Sequence, residues 1–81
     1  FSKEEKARLL HLLYEEKQVP AFKAAVHHVS YQDGVKVYFE NGDWIIARFS
    51  GTEPLIRIFA ESSTLESAKA LIEDMKHFLG L

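Results

Sequence analysis

Ten consecutive residues, Arg48-Phe49-Ser50-Gly51-Thr52-Glu53-Pro54-Leu55-Ile56-Arg57, hold the groups of this chain best suited to chemistry. Two arginines bracket a short polar loop. A guanidinium fork matches the oxygens of a phosphate with paired, charge-assisted hydrogen bonds. Ser50 and Thr52 add hydroxyl donors. Gly51 can take positive φ, which would let successive backbone N–H groups curl into an anion-binding concavity. Pro54 fixes its own φ and biases Glu53 towards extended backbone, which stiffens the loop exit. The plain structural alternative is a β-turn whose arginines pair with Glu53 and Glu61. Spacing alone leaves both readings open. Glu53 is best read as a brace, through Arg48 or a backbone N–H, and Glu61 as an ion-pair partner at a strand end.

The loop needs elements that bring its two ends together. Val35, Val37 and Phe39 alternate with Lys36, Tyr38 and Glu40, the period of a half-buried strand. Trp44 to Phe49 is nearly all apolar and reads as a central strand. Leu55 to Glu61 reads as the next. In a hairpin, Arg48 and Arg57 can then lie opposite each other on one face. Residues 27–32 form an earlier strand. Asp33-Gly34 and Asn41-Gly42 read as two-residue hairpin turns. His27 and His28, adjacent on a strand, are expected on opposite faces, which argues against a shared metal.

Helices flank this sheet of residues 27–61. Residues 1–18 read as a lead-in helix, with Ser2 and Glu5 at capping-box spacing, a face of Leu9, Leu10, Leu13 and the Lys6 and Lys17 stems, and an end at Val19-Pro20. Residues 21–26 fit a short helix or an extended lead-in. Residues 64–79 read as a second helix. Ser63 with Glu66 has capping-box spacing, Thr64 competes as N-cap, and Gly80 suits the position after the end. Leu65, Ala68, Leu71, Ile72, Met75, Phe78 and Leu79 share its apolar face. The expectation is one α+β domain over residues 1–81: about four mostly antiparallel strands, the last helix on one face, and the first helix on that face or bridging to a neighbour.

The pattern Arg-x-Ser-Gly-Thr-Glu-Pro-x-x-Arg over residues 48–57, followed by Ile58-Phe59-Ala60-Glu61, resembles the phosphate-binding loop of the α-D-phosphohexomutases, the phosphoglucomutase, phosphomannomutase and phosphoglucosamine mutase family. Every fixed position of that loop is filled. The resemblance implies the C-terminal, fourth domain of such an enzyme, with a fold likened to the TATA-binding protein. It implies that Arg48, Ser50, Gly51, Thr52 and Arg57 grip the phosphate of a hexose phosphate while a phosphoryl group moves between O1 and O6 through a bisphosphorylated intermediate. It places the catalytic phosphoserine and the magnesium (Mg2+) site in the preceding domains of the same chain. Ser50 is then a phosphate ligand and no nucleophile. This chain alone should not be catalytic, and the family's sugar selectivity lies outside it. The alternative from another class is a stand-alone, non-catalytic module that binds a phosphorylated or anionic partner with the same loop.

Composition narrows the remaining classes. With 10 Lys and Arg against 12 Asp and Glu, the net charge of -2 argues against nucleic acid. Trp44 and the aromatics Tyr31, Tyr38, Phe39, Phe49 and Phe59 are better read as core and interdomain packing than as a base-stacking platform. The chain has no cysteine, so no thiolate metal site. No apolar run approaches the ~20 residues of a membrane span, and no secretory signal opens the chain. A cytoplasmic setting is expected. Residue 1 is Phe, which suggests a piece of a longer protein.

Overall fold

The computed structural model describes residues 1–81. Its elements are α1 (Lys3–Leu10), continued by a π-helical turn (His11–Glu15), β1 (Val26–Ser30), β2 (Val35–Phe39), β3 (Trp44–Phe49), β4 (Ile56–Glu61) and α2 (Leu65–Leu79). The four strands form one antiparallel sheet in the order β1-β2-β3-β4. The α+β expectation holds, and β3, the most apolar strand, is an inner one.

Strand alternation sorts the sheet into two faces. Val35, Val37, Phe39, Ile45 and Ala47 turn to the covered face and are buried. Leu9 and Leu13 of the first helix and Leu71, Met75 and Leu79 of α2 pack onto them in one cluster. Both helices therefore lie on the same side. Burial of each such leucine contributes about 1.5–3 kcal/mol. The opposite, open face carries Lys36, Tyr38, Trp44, Ile46, Arg48, Arg57, Phe59 and Glu61.

Several local expectations are corrected. The first helix ends earlier than Val19-Pro20: the π-helical turn widens the chain, Lys17 takes φ 54, and the backbone exits before the proline. Only half of its capping box forms, with Glu5 N–H donating to Ser2 Oγ at 3.1 Å. Residues 21–25 are irregular, with a bend at 23–24 before β1 and no second helix. Neither glycine turn is a two-residue turn. Phe39 and Asp43 close a three-residue loop, with Gly42 N–H on Phe39 O and φ of 92 at Gly42, while Asn41 stays at negative φ. That is a turn followed by a bulge residue, which matches the sheet twist without two residues at positive φ. Residues 31–34 form a longer connection. Thr64 caps α2 in a reciprocal pair with Ser67, displacing Ser63 and Glu66. Gly80 closes the helix at φ 76, with Leu81 N–H on Lys76 O. Leu65, expected on the apolar face, is 72% exposed.

His27 and His28 are corrected as well. The β1–β2 register slips between Val26 and His28, so His27 is an extra residue in a bulge. A bulge breaks the alternation of faces. The two rings meet, with Nδ1 atoms 2.6 Å apart, and His28 stacks on Tyr38 with centroids 4.4 Å apart.

Candidate phosphate-binding site

The β3–β4 register sets Arg48 directly opposite Arg57. Ser50 N–H donates to Leu55 O at 3.0 Å, two residues further along the hairpin. Ladder alternation then makes 48/57 a hydrogen-bonded pair, with Cα atoms about 5.5 Å apart. Both residues lie on the open face, at the base of the 50–55 loop. Neither guanidinium forms an ion pair; the ion pairs of the chain join His11 to Glu15 and Glu16, and Glu73 to Lys76. The alternative pairing with Glu53 and Glu61 is thus not made. Glu61 instead accepts from Trp44 Nε1 at 2.7 Å. The Glu53 carboxylate braces nothing; its backbone N–H bonds to Ser50.

Ser50 organises the loop. Its Oγ accepts from Thr52 N–H at 3.4 Å and Glu53 N–H at 3.1 Å. Both lone pairs of the hydroxyl are then engaged, and its proton is left to donate outward. Leu55 N–H donates to Glu53 O at 2.8 Å, a tight turn across Pro54. The expectation for Gly51 is corrected: its φ is not positive, so the loop is no αL nest. The serine bonds curl the loop in its place. A Cβ built at Gly51 would meet nothing within 4 Å. Gly51 therefore keeps an open approach to the backbone, and its N–H makes no bond within the protein.

Arg48 is partly committed. Its Nε donates to Asp33 O at 2.9 Å, in the loop between β1 and β2. This leans the side chain over β2, away from Arg57, and leaves its Nη groups unbonded. The Asp33 loop can come so close because Gly34 has no side chain: a Cβ there would sit 2.7 Å from Ala47 O and 3.3 Å from Arg48 Cα, at φ +124. The Arg57 guanidinium makes no hydrogen bond. The unbonded donors gathered on this short stretch are thus Arg48 Nη, the Ser50 and Thr52 hydroxyls, Gly51 N–H and Arg57. That set suits a tetrahedral oxyanion.

Sequence reading missed two supports. Lys6 Nζ donates to Ser50 O at 3.3 Å, tying the first helix to the loop entrance. Its spacing with Leu9 and Leu13 was the available signal. The Asp33 carbonyl had none, because a main-chain oxygen leaves no mark on residue type. Beneath the loop, Phe49 meets Tyr14 at 6.4 Å between centroids, and Tyr14 meets Tyr31 at 6.1 Å. Burial raises the Tyr14 phenol above its ordinary pKa.

Residues 3–77 match the family model for the phosphoglucomutase/phosphomannomutase C-terminal domain. Similar proteins include a phosphoglucomutase/phosphomannomutase of Thermococcus kodakarensis, 49% identical over 41 residues, 51% of this chain and 9% of that protein. A probable phosphoglucosamine mutase of Methanothermobacter thermautotrophicus is 43% identical over 47 residues, 58% of this chain and 10% of that protein. A phosphoglucosamine mutase of Methanocaldococcus jannaschii is 46% identical over 41 residues, 51% of this chain and 9% of that protein. The matched stretch thus spans about a tenth of the length of these relatives. No solved structure matches the chain significantly. No helix is long and apolar enough to cross a membrane. With the family match covering nearly the whole chain and the arginine-flanked loop intact within it, the chain belongs to the phosphoglucomutase/phosphomannomutase C-terminal domain family.

Proposed function

We propose that this domain anchors the non-reacting phosphate of a hexose phosphate in a cytoplasmic phosphohexomutase, an isomerase that interconverts hexose 1-phosphate and hexose 6-phosphate through a bisphosphorylated sugar. The observation that carries this reading is the pair of cross-strand arginines with no carboxylate partner, set at the base of a loop with unbonded donors. Like charges directly opposite in a sheet repel. A dianion bound at the loop offsets that repulsion and adds charge-assisted bonds.

The residues divide the work. Arg57 and the Nη groups of Arg48 supply charge. Ser50 donates its free proton, and Gly51 lets an oxygen approach its N–H. Thr52 offers a second hydroxyl. Lys6 holds the loop entrance through Ser50 O. Gripping the phosphate at one end of the sugar orients the hydroxyl at the other end, an entropic contribution to the reaction. The same grip serves either end as the bisphosphate turns over.

Phosphoryl transfer itself takes a phosphoserine and magnesium, which we assign to the remaining polypeptide. Domain closure on the bound phosphate would keep water from the phosphoenzyme. The test is Arg57→Ala in the complete polypeptide that carries this domain. The reading expects KM for the sugar phosphate to rise well beyond any fall in kcat. Unchanged KM would refute it.

A further inference from the structure

Beside the loop, the open sheet face holds a polar hollow of ≈ 140 Å³. Arg48 and Lys36 are its cations, Ser30, Gln32 and Tyr38 its neutral polar side chains, and Ile46 its floor. We propose that this hollow is a second oxyanion site, distinct from the loop, that takes a phosphate-type anion, either free or as a monoester.

Three observations converge on it. First, Arg48 leans into the hollow and is held there: the Asp33 carbonyl fixes Nε, and the glycine at 34 lets that carbonyl come close. A guanidinium pinned at Nε presents its Nη donors in a fixed direction. Second, neither cation is neutralised. Lys36 Nζ lies over the rings of Trp44 and Tyr38, 4.3 Å and 4.8 Å from their centroids, and forms no ion pair. Asp33 also borders the hollow, but its carboxylate pairs with neither cation. Third, the Ser30, Gln32 and Tyr38 side chains make no hydrogen bond within the protein, so their donors are unspent.

Arg48 is common to both sites, while Lys36 belongs to the hollow alone and Arg57 to the loop alone, so variants at those two residues tell the sites apart. The test is a titration of the ¹⁵N-labelled chain with inorganic phosphate, followed by amide and side-chain shifts, with sodium chloride at matched ionic strength as control. Two separate groups of saturable shifts are expected: residues 50–53, and Ser30, Gln32, Asp33 and Lys36. Lys36→Gln should raise the half-saturating phosphate of the second group about three- to tenfold and leave the first unchanged. Arg57→Ala should do the reverse. Asp33→Asn keeps the main-chain carbonyl and removes a negative charge, so it should lower the half-saturation of the second group. Lys36→Arg should bind like the wild type, which guards against a folding artefact. Methyl phosphate in a parallel titration shows whether the free ion or the monoester binds more tightly. The proposal is overturned if the second group does not shift, shifts equally with chloride, loses binding in Arg57→Ala, or ignores both Lys36→Gln and Asp33→Asn.

Discussion

Gly51→Ala separates a structural glycine from one that serves a ligand. In the folded chain, Gly51 has no positive φ, and an added Cβ would meet nothing within 4 Å. Alanine should fit without strain. It also restricts the unfolded chain, so stability should rise by about 0.4–1 kcal/mol. For a chain of this size that is roughly 2–8 °C in Tm. Phosphate affinity should move the opposite way. If an oxygen approaches the Gly51 N–H, the methyl group obstructs it, and one hydrogen bond to a charged group is lost, about 1.5–3 kcal/mol. Half-saturating hexose 6-phosphate should rise about tenfold or more. Thermal unfolding and an amide-shift titration read the two effects on one sample. A variant as stable as expected but with unchanged affinity would refute close approach at Gly51. A Tm several degrees below wild type would refute the open space around it.

Three further outcomes follow from the geometry. Arg57→Ala removes the cross-strand like charge, so the ligand-free chain should gain a few tenths of a kcal/mol, and phosphate should no longer raise its Tm; denaturant unfolding with and without phosphate checks both. Gly34→Ala places a Cβ 2.7 Å from Ala47 O at φ +124, which should cost roughly 1–3 kcal/mol, measured as a lower denaturant midpoint together with loss of the Arg48 Nε–Asp33 contact. The Tyr14 phenol has a folded pKa above its unfolded value, so the folded state keeps its proton longer: stability is full below about pH 10 and falls as pH rises through the folded pKa. Tyr14→Phe should flatten that alkaline fall, and denaturant midpoints at neutral and alkaline pH would show it.

The strongest sequence signals were periodic ones. Alternation at Val35, Val37 and Phe39 placed β2 correctly, and the loop's position between two apolar strands placed Arg48 opposite Arg57. Where expectation failed, the deciding contact was main-chain or non-local. A bulge at His27 undid simple alternation, because a register slip depends on the partner strand. Gly51 was read through turn chemistry, yet two Ser50 bonds shape the loop without a left-handed residue. The lean of Arg48 towards Asp33 is set by a carbonyl that any residue type could supply. Gly34 could have hinted at close approach, but it read equally well as a turn residue. Asn41-Gly42 formed a longer loop, since Gly42 alone satisfies the positive φ that the turn needs.

The most direct test is a titration of this chain with a hexose 6-phosphate, following the Nε–H signals of Arg48 and Arg57 with the amides of residues 50–53. Anchoring of the phosphate predicts saturable shifts at Arg57 Nε and Gly51 N–H at one common half-saturation, lost in Arg57→Ala. Saturable binding that leaves both of those signals in place would contradict it.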